Sequence, residues 1–274
     1  MHRFLHGLAQ EAAVLVTVQA TRGSVPREVG AWMAVFADAT VATVGGGRLE
    51  QDAIVHARRV LVQADGAEAR VRYALGPSLG QCCGGEVVLQ FERVTAQDQA
   101  ALAVRLARPQ VPVALFGGGH VGQALVQVLG NLPLAVTWID SRDAVFETDT
   151  EHGTLPDNVR CEHSQPVQAA VADLPPQSRV VIMSFSHAED LEVVAACLAR
   201  QRVQGDLPYV GLIGSKTKWA SFRQRLQARG FSAAELAHVT SPIGVPGIAD
   251  KQPPVIAVAV AAQLLQVSAP AGTV

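Results

Sequence analysis

A glycine-rich loop in the middle of the chain constrains the fold more than any other feature. Residues 117–122 read Gly-Gly-Gly-His-Val-Gly and match the pattern G-x-G-x-x-G. The apolar run 113–116 precedes the loop, and a segment with Val121, Leu125 and Leu129 on one helical face follows it. A strand, a tight glycine turn and a helix in this order are typical of a Rossmann-like βαβ unit. The second half of the chain is therefore predicted to be α/β, a doubly wound parallel sheet.

The apolar pattern after this loop supports the same prediction. Further buried-strand runs occur at 134–139, 180–183 and 209–213, and helical segments separate them. This alternation is typical of a parallel sheet with helices on both faces. Pro109 and Pro112 disfavour helix just before the first of these runs, so they mark a domain boundary. We predict an N-terminal domain over 1–108 and a C-terminal Rossmann-like domain over 109–274.

The first hundred residues predict a small α+β domain. A helical stripe of apolar positions about four residues apart runs from Ala53 to Leu61. Around it lie short runs that are apolar or alternate between apolar and polar, as in strands bounded by glycine turns. These runs are 13–18, 32–36, 41–44, 71–74 and 87–91.

Charge and composition exclude several functional classes. The chain carries 22 basic and 24 acidic side chains, a formal charge of −2, so we expect no nucleic-acid partner. No apolar run approaches the roughly 18 residues that cross a bilayer, which predicts a soluble protein with no membrane partner. The four cysteines, two of them adjacent, suit a reducing compartment and predict a cytoplasmic location. Neither C-x-x-C nor H-E-x-x-H occurs, so a closed zinc site has no support.

The central loop is the first candidate binding site. Gly117, Gly119 and Gly122 lack Cβ atoms, so the turn can close tightly and helix N–H groups can meet a pyrophosphate. Asp140 ends the next strand 18 residues after the last glycine (140 − 122 = 18), where a carboxylate can accept hydrogen bonds from ribose hydroxyls. An acid there disfavours a 2′-phosphate. The alternative is that these glycines only pack helix on strand and no dinucleotide binds.

A second glycine turn gives another candidate. Residues 211–216 read Gly-Leu-Ile-Gly-Ser-Lys and lie between a strand and a basic helix. Loop amides together with Ser215 and Lys216 can hold a phosphate. The alternative is an ordinary capped helix with a solvated basic face.

The third candidate is the loop that carries the adjacent cysteines. Cys82 and Cys83 are flanked by Gly80, Gly84 and Gly85, so both thiols are expected to be accessible. An exposed thiolate is a soft donor that suits molybdenum, copper or sulfur transfer. The alternative is a pair of inert core cysteines. The other two cysteines lack such surroundings, and the one in an apolar helical stretch, at position 197, is expected to lie in the core.

Several motifs in order resemble one family, the xanthine dehydrogenase accessory proteins of the XdhC/CoxI type. The resemblance covers nearly the whole chain. The motifs that carry it are Gly-Ser-Val-Pro-Arg at 23–27, Gly-Gly-Gly-Arg-Leu-Glu at 45–50, Gly-Gln-Cys-Cys-Gly-Gly at 80–85, the loop at 117–122, Tyr-Val-Gly-Leu-Ile-Gly-Ser-Lys at 209–216 and Ser-Pro-Ile-Gly at 241–244.

The resemblance implies a molybdenum-cofactor-binding maturation factor. Such a protein holds molybdopterin while a cysteine desulfurase replaces an oxo ligand by sulfur, and then delivers the cofactor to apo-xanthine dehydrogenase. In this chain it implies that Cys82 or Cys83, beside Gln81, contacts molybdenum or its exchangeable sulfur. The cofactor is anionic, so Arg22, Arg27 and Arg48 in the N-terminal glycine turns are expected to neutralise it. A homodimer is expected because most soluble oligomers are two-fold symmetric.

The chain departs from the family pattern at possible acid/base positions. Relatives often have Thr-His-Asp-His where residues 184–187 read Ser-Phe-Ser-His, and Val255 and Gln263 replace acids. These losses favour a non-enzymatic carrier over an enzyme. The main alternative is an NAD-dependent oxidoreductase that uses the central loop, with His120 or His187 as proton donor. A third is a scaffold that docks two partners. The residues do not distinguish which cysteine meets the metal, which molybdoenzyme is the target, or what the Rossmann-like site binds.

Overall fold

The protein, described by a computed structural model, forms two compact units, Met1–Ala107 and Arg108–Val274. The structure describes residues 1–63, 69–75, 84–146 and 155–268. Within those residues, every helix is too short or too polar to cross a bilayer.

The N-terminal unit is built on an antiparallel sheet of five strands. The strands are β1 (Ala13–Arg22), β2 (Trp32–Val35), β3 (Thr40–Ala42), β4 (Ala69–Ala74) and β5 (Glu86–Val94), in the spatial order β3-β2-β1-β5-β4. The helices are α1 (His2–Leu8), α2 (Gly47–Val62) and α3 (Gln99–Arg105).

Alternation along β1 gives this sheet two buried faces. Val14 and Val16 point to the face that α2 covers with its apolar stripe, which includes Leu49 and Ala53. Leu15 points to the opposite face and packs with side chains of α1 and α3. Because successive side chains of a strand point to opposite faces, a strand covered on both sides reads as one continuous apolar run.

The C-terminal unit contains a parallel sheet of six strands. They are β6 (Val111–Phe116), β7 (Leu134–Asp140), β8 (Val159–His163), β9 (Arg179–Ile182), β10 (Tyr209–Leu212) and β11 (Val239–Thr240). The helices are α4 (His120–Leu129), α5 (His187–Gln204), α6 (Lys216–Ala228), α7 (Ala233–Leu236) and α8 (Pro253–Ser268). The spatial order is β11-β10-β9-β6-β7-β8, and every adjacent pair is parallel.

Helices cover both faces of this sheet. One apolar cluster joins Phe116 of β6 to residues of α5 and α6. The other joins Leu115 of β6 to Leu125 of α4 and Leu264 of α8. The predicted α/β fold class, a small α+β domain followed by a Rossmann-like doubly wound parallel sheet, is therefore confirmed.

The strand order also fixes where a ligand would bind. The chain begins this sheet in the middle at β6, moves outward through β7 and β8, and returns to β9 on the other side of β6. Open parallel sheets bind ligands outside the carboxyl ends of the strands at such a reversal. The glycine loop after β6 and the loops after β7 and β9 lie at this edge.

Candidate functional site

The glycine motifs of the N-terminal unit meet one another. A Cβ atom added to Gly45 would lie 2.5 Å from Cγ of Pro26, so the turn at 45–50 packs directly on the segment 23–27. A Cβ atom added to Gly85 would lie 2.2 Å from the carbonyl oxygen of Ser24. The carboxyl end of the third motif therefore packs on the first. Two motifs and the described end of a third, all far apart in sequence, are therefore in contact.

Glu50 holds the backbone of the turn before α2. Its Oε2 atom accepts hydrogen bonds from the N–H groups of Val44 at 3.2 Å and Gly46 at 3.1 Å, and also from the Thr43 hydroxyl. Gly46 has a φ of +73°, a left-handed conformation that glycine adopts at little cost. The glutamate of the G-G-G-x-x-E motif thus has a positioning role that the residue pattern alone did not reveal.

The arginines of these motifs differ in how firmly they are held. Arg27 is 30% exposed, and its Nη1 donates to the carbonyl oxygen of Thr43 at 3.2 Å. Arg48 is 64% exposed and lies 3.9 Å from Asp52, one turn further along α2. Arg27 is therefore fixed beside the glycine turn, whereas Arg48 extends into solvent.

The structure describes the two cysteines of the C-terminal unit, but not the adjacent pair of the N-terminal unit. Gln81, Cys82 and Cys83 lie outside the described residues, so their predicted contacts stay predictions. Cys197 of α5 is fully buried, as predicted, and burial raises the pKa of its thiol to about 12. Cys161 of β8 is half-buried, and burial raises its pKa as well. Neither of these thiols is activated as a nucleophile.

The glycines of the C-terminal loop divide into packing positions and one open position. Gly117 has a φ of +117°, and a Cβ atom there would lie 2.0 Å from the carbonyl oxygen of Met183. A Cβ atom on Gly122 would lie 2.1 Å from the carbonyl oxygen of Gly117. By contrast, a Cβ atom on Gly119 would have no neighbour within 4 Å. Packing explains two of the predicted glycines, and Gly119 alone leaves its backbone open to a ligand.

Asp140 is buried at the end of β7 and is bound by groups of its own chain. Its Oδ1 accepts from the backbone N–H and Nε of Arg142, both at 2.9 Å. Its Oδ2 accepts from the Gly118 N–H at 2.7 Å and from Nη2 of Arg142 at 3.0 Å. Burial alone would raise the pKa of this carboxyl, but these hydrogen bonds outweigh it and hold the pKa below its usual value. Ribose binding at Asp140 therefore requires Arg142 or Gly118 to release it first.

The loops after β7 and β9 contact each other. The hydroxyl of Ser141 donates to Oε1 of Glu189 at 2.6 Å, and the guanidinium of Arg142 lies 4.6 Å from the centre of the Phe185 ring. Phe185 nevertheless remains 66% exposed. Since β6 lies between β7 and β9, an aromatic ring, a cation and a carboxylate flank the glycine loop.

A buried ion pair that the sequence did not predict lies next to these contacts, at the carboxyl edge of the parallel sheet. Asp190 of α5 is 2% exposed, and its Oδ2 accepts from Nζ of Lys218 at 2.5 Å. The carboxylate also accepts from the Ser184 N–H at 2.8 Å, and Nζ of Lys218 donates to the carbonyl oxygen of Ile213 at 2.9 Å. The pair therefore ties the starts of α5 and α6 to the ends of β9 and β10.

The second glycine turn uses its serine to cap a helix. Oγ of Ser215 accepts from the N–H of Lys218 at 3.2 Å, which satisfies one free donor at the start of α6. Lys216 is the first residue of that helix and is exposed. The phosphate site proposed at these two residues stays a prediction.

The two histidines considered as proton donors are exposed. His120 begins α4, and His187 begins α5. In the part of the chain that the structure describes, no three side chains of His, Cys, Asp or Glu are grouped closely enough to hold a metal ion.

Comparison with known proteins adds family matches. Residues 113–264 match the family described as XdhC Rossmann domain, and residues 8–74 match the family described as XdhC and CoxI family. The first match covers more than half of the chain.

Two individual proteins are also similar. The uncharacterized protein YqeB of Escherichia coli (strain K12) is 27% identical over 257 residues, which is 92% of this chain but 43% of that relative. The chain thus spans less than half the length of this curated relative. A crystal structure from Bacillus halodurans, described as a xanthine dehydrogenase, has a TM-score of 0.76 at 20% identity and covers 99% of this chain and 97% of that one. An identity that low shows a shared fold alone.

Proposed function

Because this chain belongs to the family of XdhC and CoxI proteins, we propose that it is a maturation factor for a molybdenum enzyme of the xanthine dehydrogenase type. In this role it binds molybdopterin cofactor as cargo, holds it while a cysteine desulfurase supplies sulfur, and passes it to the apo-enzyme. The target enzyme and the desulfurase are its protein partners, the protein acts in the cytoplasm, and a homodimer is the expected assembly. No turnover by the protein itself is needed.

The observation that carries the proposal is the packing of the segment 23–27 on the turn at 45–50 and on Gly85, the last residue of the cysteine motif. Gly45 packs on Pro26 and Gly85 packs on Ser24, so the segment that follows the two cysteines adjoins the segment that carries Arg27. A cargo with a soft metal at one end and a phosphate at the other needs thiolates and cations near each other. The packing of these motifs supports that combination.

The described residues fit the anionic part of such a cargo. Cβ atoms added to Gly46 or Gly84 would have no neighbour within 4 Å, so there is space beside the chain at both positions. Arg27 is bound to the carbonyl oxygen of Thr43 and pairs with Glu28 at 3.3 Å, and Arg22 and Arg48 add positive charge from β1 and α2. Cationic side chains beside such a space are typical of phosphate sites, although the N–H group of Gly46 itself already donates to Glu50.

A carrier suits the chemistry of these residues better than an enzyme does. The carboxylate of Glu50 is occupied by Val44, Gly46 and Thr43, so it serves the turn. In the other unit, Gln263 of α8 accepts from the Tyr209 hydroxyl at 2.7 Å and from the Gly244 N–H at 2.8 Å, which is a structural role. NAD-dependent oxidation, the alternative function, loses its expected ribose acceptor while Arg142 binds Asp140.

Removal of either thiol of the adjacent pair should release the cargo. We expect Cys82→Ala and Cys83→Ala proteins, purified from a host that makes the cofactor, to retain at least about tenfold less molybdenum and pterin than the unchanged protein, because a lost metal–thiolate bond lowers affinity strongly. Molybdenum is measured by mass spectrometry, and pterin by the fluorescence of its oxidised form.

The matched control is Cys161→Ala, which removes a half-buried thiol from the other unit. It should leave the molybdenum-to-protein ratio unchanged. If both Cys82→Ala and Cys83→Ala retain cofactor at the unchanged ratio, the thiolate role is wrong. If they bind cofactor normally and the protein still activates its target enzyme, a docking scaffold becomes the better description.

A further inference from the structure

We infer that two copies of this chain pair through the exposed stripe of helix α8, with α4 beside it. The stripe consists of Pro254, Val258, Ala262 and Leu265. The inference rests on the homodimer of the proposed function and gives that homodimer an interface. It makes no use of the cysteine loop or of the glycine loops.

Helix α8 lacks a polar face. Its 16 residues include no charged side chain. Leu264 is buried in the core of the C-terminal unit, yet Val258 is 53% exposed and Leu265 is 41% exposed. Gln263 is turned inwards, where its Oε1 accepts from the Tyr209 hydroxyl at 2.7 Å. A helix that is apolar all round is typical of a buried element, so this sequence suits a helix that is covered on its outer side as well.

The exposed apolar residues of α8 are contiguous. Pro254, Val258 and Leu265 are exposed, and Ala262 is partly exposed. They follow one another at intervals of four, four and three residues, which places them on one side of a helix. Apolar residues that are scattered singly over a surface need no explanation, but a contiguous group marks an interaction site.

The two helix layers of the parallel sheet differ in charge. Helix α4, which packs with α8 in one layer, also has no Asp, Glu, Lys or Arg. In the other layer, α5 carries five charged side chains and α6 carries four. Depletion of charged residues is the compositional sign of an interface core. We therefore place the interface on the α4–α8 layer and leave the α5–α6 layer to solvent.

The area of this layer suits a dimer. With 16 residues at about 1.5 Å each, α8 is about 24 Å long, and two adjacent helices are together about 20 Å wide. Such a layer covers about 500 Å² on each copy, or about 1,000 Å² for the pair, which is the smallest area usual for a specific interface.

A second copy of the chain is the partner that matches this stripe. Among the helices that the structure describes, every one except α4 and α8 carries a charged side chain. In a two-fold dimer the same surface meets itself, so a stripe without charges opposes no like charges. Val258 and Ala262 lie in the middle of the stripe, next to the expected axis, where a larger side chain of one copy can pack on a smaller one of the other.

Val258→Glu tests this interface, because the glutamates of the two copies would oppose each other across the axis. The full chain is purified from a host that does not make molybdopterin, and its mass is measured by sedimentation equilibrium. We expect the unchanged protein to have twice the mass of one chain. The variant should raise the dissociation constant of the dimer by at least about 100-fold, because like charges at an interface cost several kcal/mol.

The matched control is Val203→Glu, which makes the same change on α5, in the other helix layer. Val203 is 80% exposed, so this variant should dimerise as the unchanged protein does. A second variant, Val258→Lys, separates loss of the interface from misfolding. Alone it should be monomeric, whereas an equimolar mixture of Val258→Glu and Val258→Lys should form a heterodimer, since opposite charges then face each other.

Three results would overturn the inference. They are a monomeric unchanged protein, a Val258→Glu protein that dimerises normally, and a mixture of the two variants that stays monomeric. The second result would leave the homodimer of the proposed function standing and remove only its assignment to α8. Cargo binding is measured separately, by the molybdenum content of the Cys82→Ala and Cys83→Ala proteins, so its failure is distinguishable from failure of the interface.

Discussion

Replacement of Arg200 by methionine should lower the free energy of unfolding by about 3–5 kcal/mol, the usual cost of removing one partner from a buried ion pair. The Arg200 side chain is 7% exposed and binds Asp206 at 2.6 Å. It also donates to the carbonyl oxygens of Val171 at 2.7 Å and Leu174 at 2.8 Å. The variant leaves a carboxylate and two carbonyl groups without their donor.

Urea unfolding of the variant measures this loss. The matched control is Arg202→Met on the same helix, since Arg202 is 50% exposed and pairs with Glu235 at the surface. That change should cost no more than about 1 kcal/mol. Equal losses for the two variants would contradict the assignment of the buried network.

The loss of unfolding free energy caused by Arg200→Met should become smaller at low pH. The hydrogen bonds from Arg200 hold the pKa of Asp206 below its ordinary value of 3.8. A carboxyl whose pKa is lowered by folding stabilises the protein above its unfolded pKa and ceases to do so as the pH falls through the folded pKa. The difference between Arg200→Met and the unchanged protein should therefore shrink below about pH 4.

Gly117→Ala should be the most damaging single change in the central loop, with a loss of about 2–5 kcal/mol. A left-handed φ of +117° costs an alanine about 1–2 kcal/mol. The added Cβ atom would also lie 2.0 Å from the carbonyl oxygen of Met183, and relief of such an overlap costs about 1–3 kcal/mol more. Thermal or urea unfolding checks the expected loss.

Gly119→Ala, two residues away, is the matched comparison for stability. Gly119 has backbone angles that any residue can adopt, φ −73° and ψ −179°, and a Cβ atom added there would touch nothing within 4 Å. This variant should unfold within about 0.5 kcal/mol of the unchanged protein, as is usual for exposed positions. If Gly119→Ala destabilised the protein as much as Gly117→Ala, the division of the loop into packed and open glycines would be wrong.

In the parallel sheet, the inner strands could be predicted from their composition, and the two edge strands could not. The run 113–116 lies within β6, and the run 134–139 lies within β7, because a central parallel strand is apolar along its whole length. β8 reads Val-Arg-Cys-Glu-His at the edge of the sheet, and β11 has two residues, so neither gives an apolar run. Helix α1, with seven residues, is likewise too short for a reliable periodic pattern.

The candidate sites were predictable only where a local motif carries them. The spacing of the glycines predicts the central loop, and the distance from the last glycine predicts the acid at the end of the next strand. By contrast, Asp190 and Lys218 are 28 residues apart, and Ser141 and Glu189 are 48 apart, so only the folded sheet brings them together. The local pattern identified Asp140 as an acceptor, but it gave no weight to Arg142, two residues later, which occupies that acceptor.

The separation of the hydrophobic cores determines how heat should unfold the protein. Among the described residues, each of the four buried apolar clusters draws all its members from one unit, two clusters within Met1–Ala107 and two within Arg108–Val274. Cores that share no side chain can melt separately, so calorimetry should resolve two endothermic transitions instead of one. The losses expected for Arg200 and Gly117 then belong to the transition of the Rossmann-like unit, and the midpoint of the other should stay where it is.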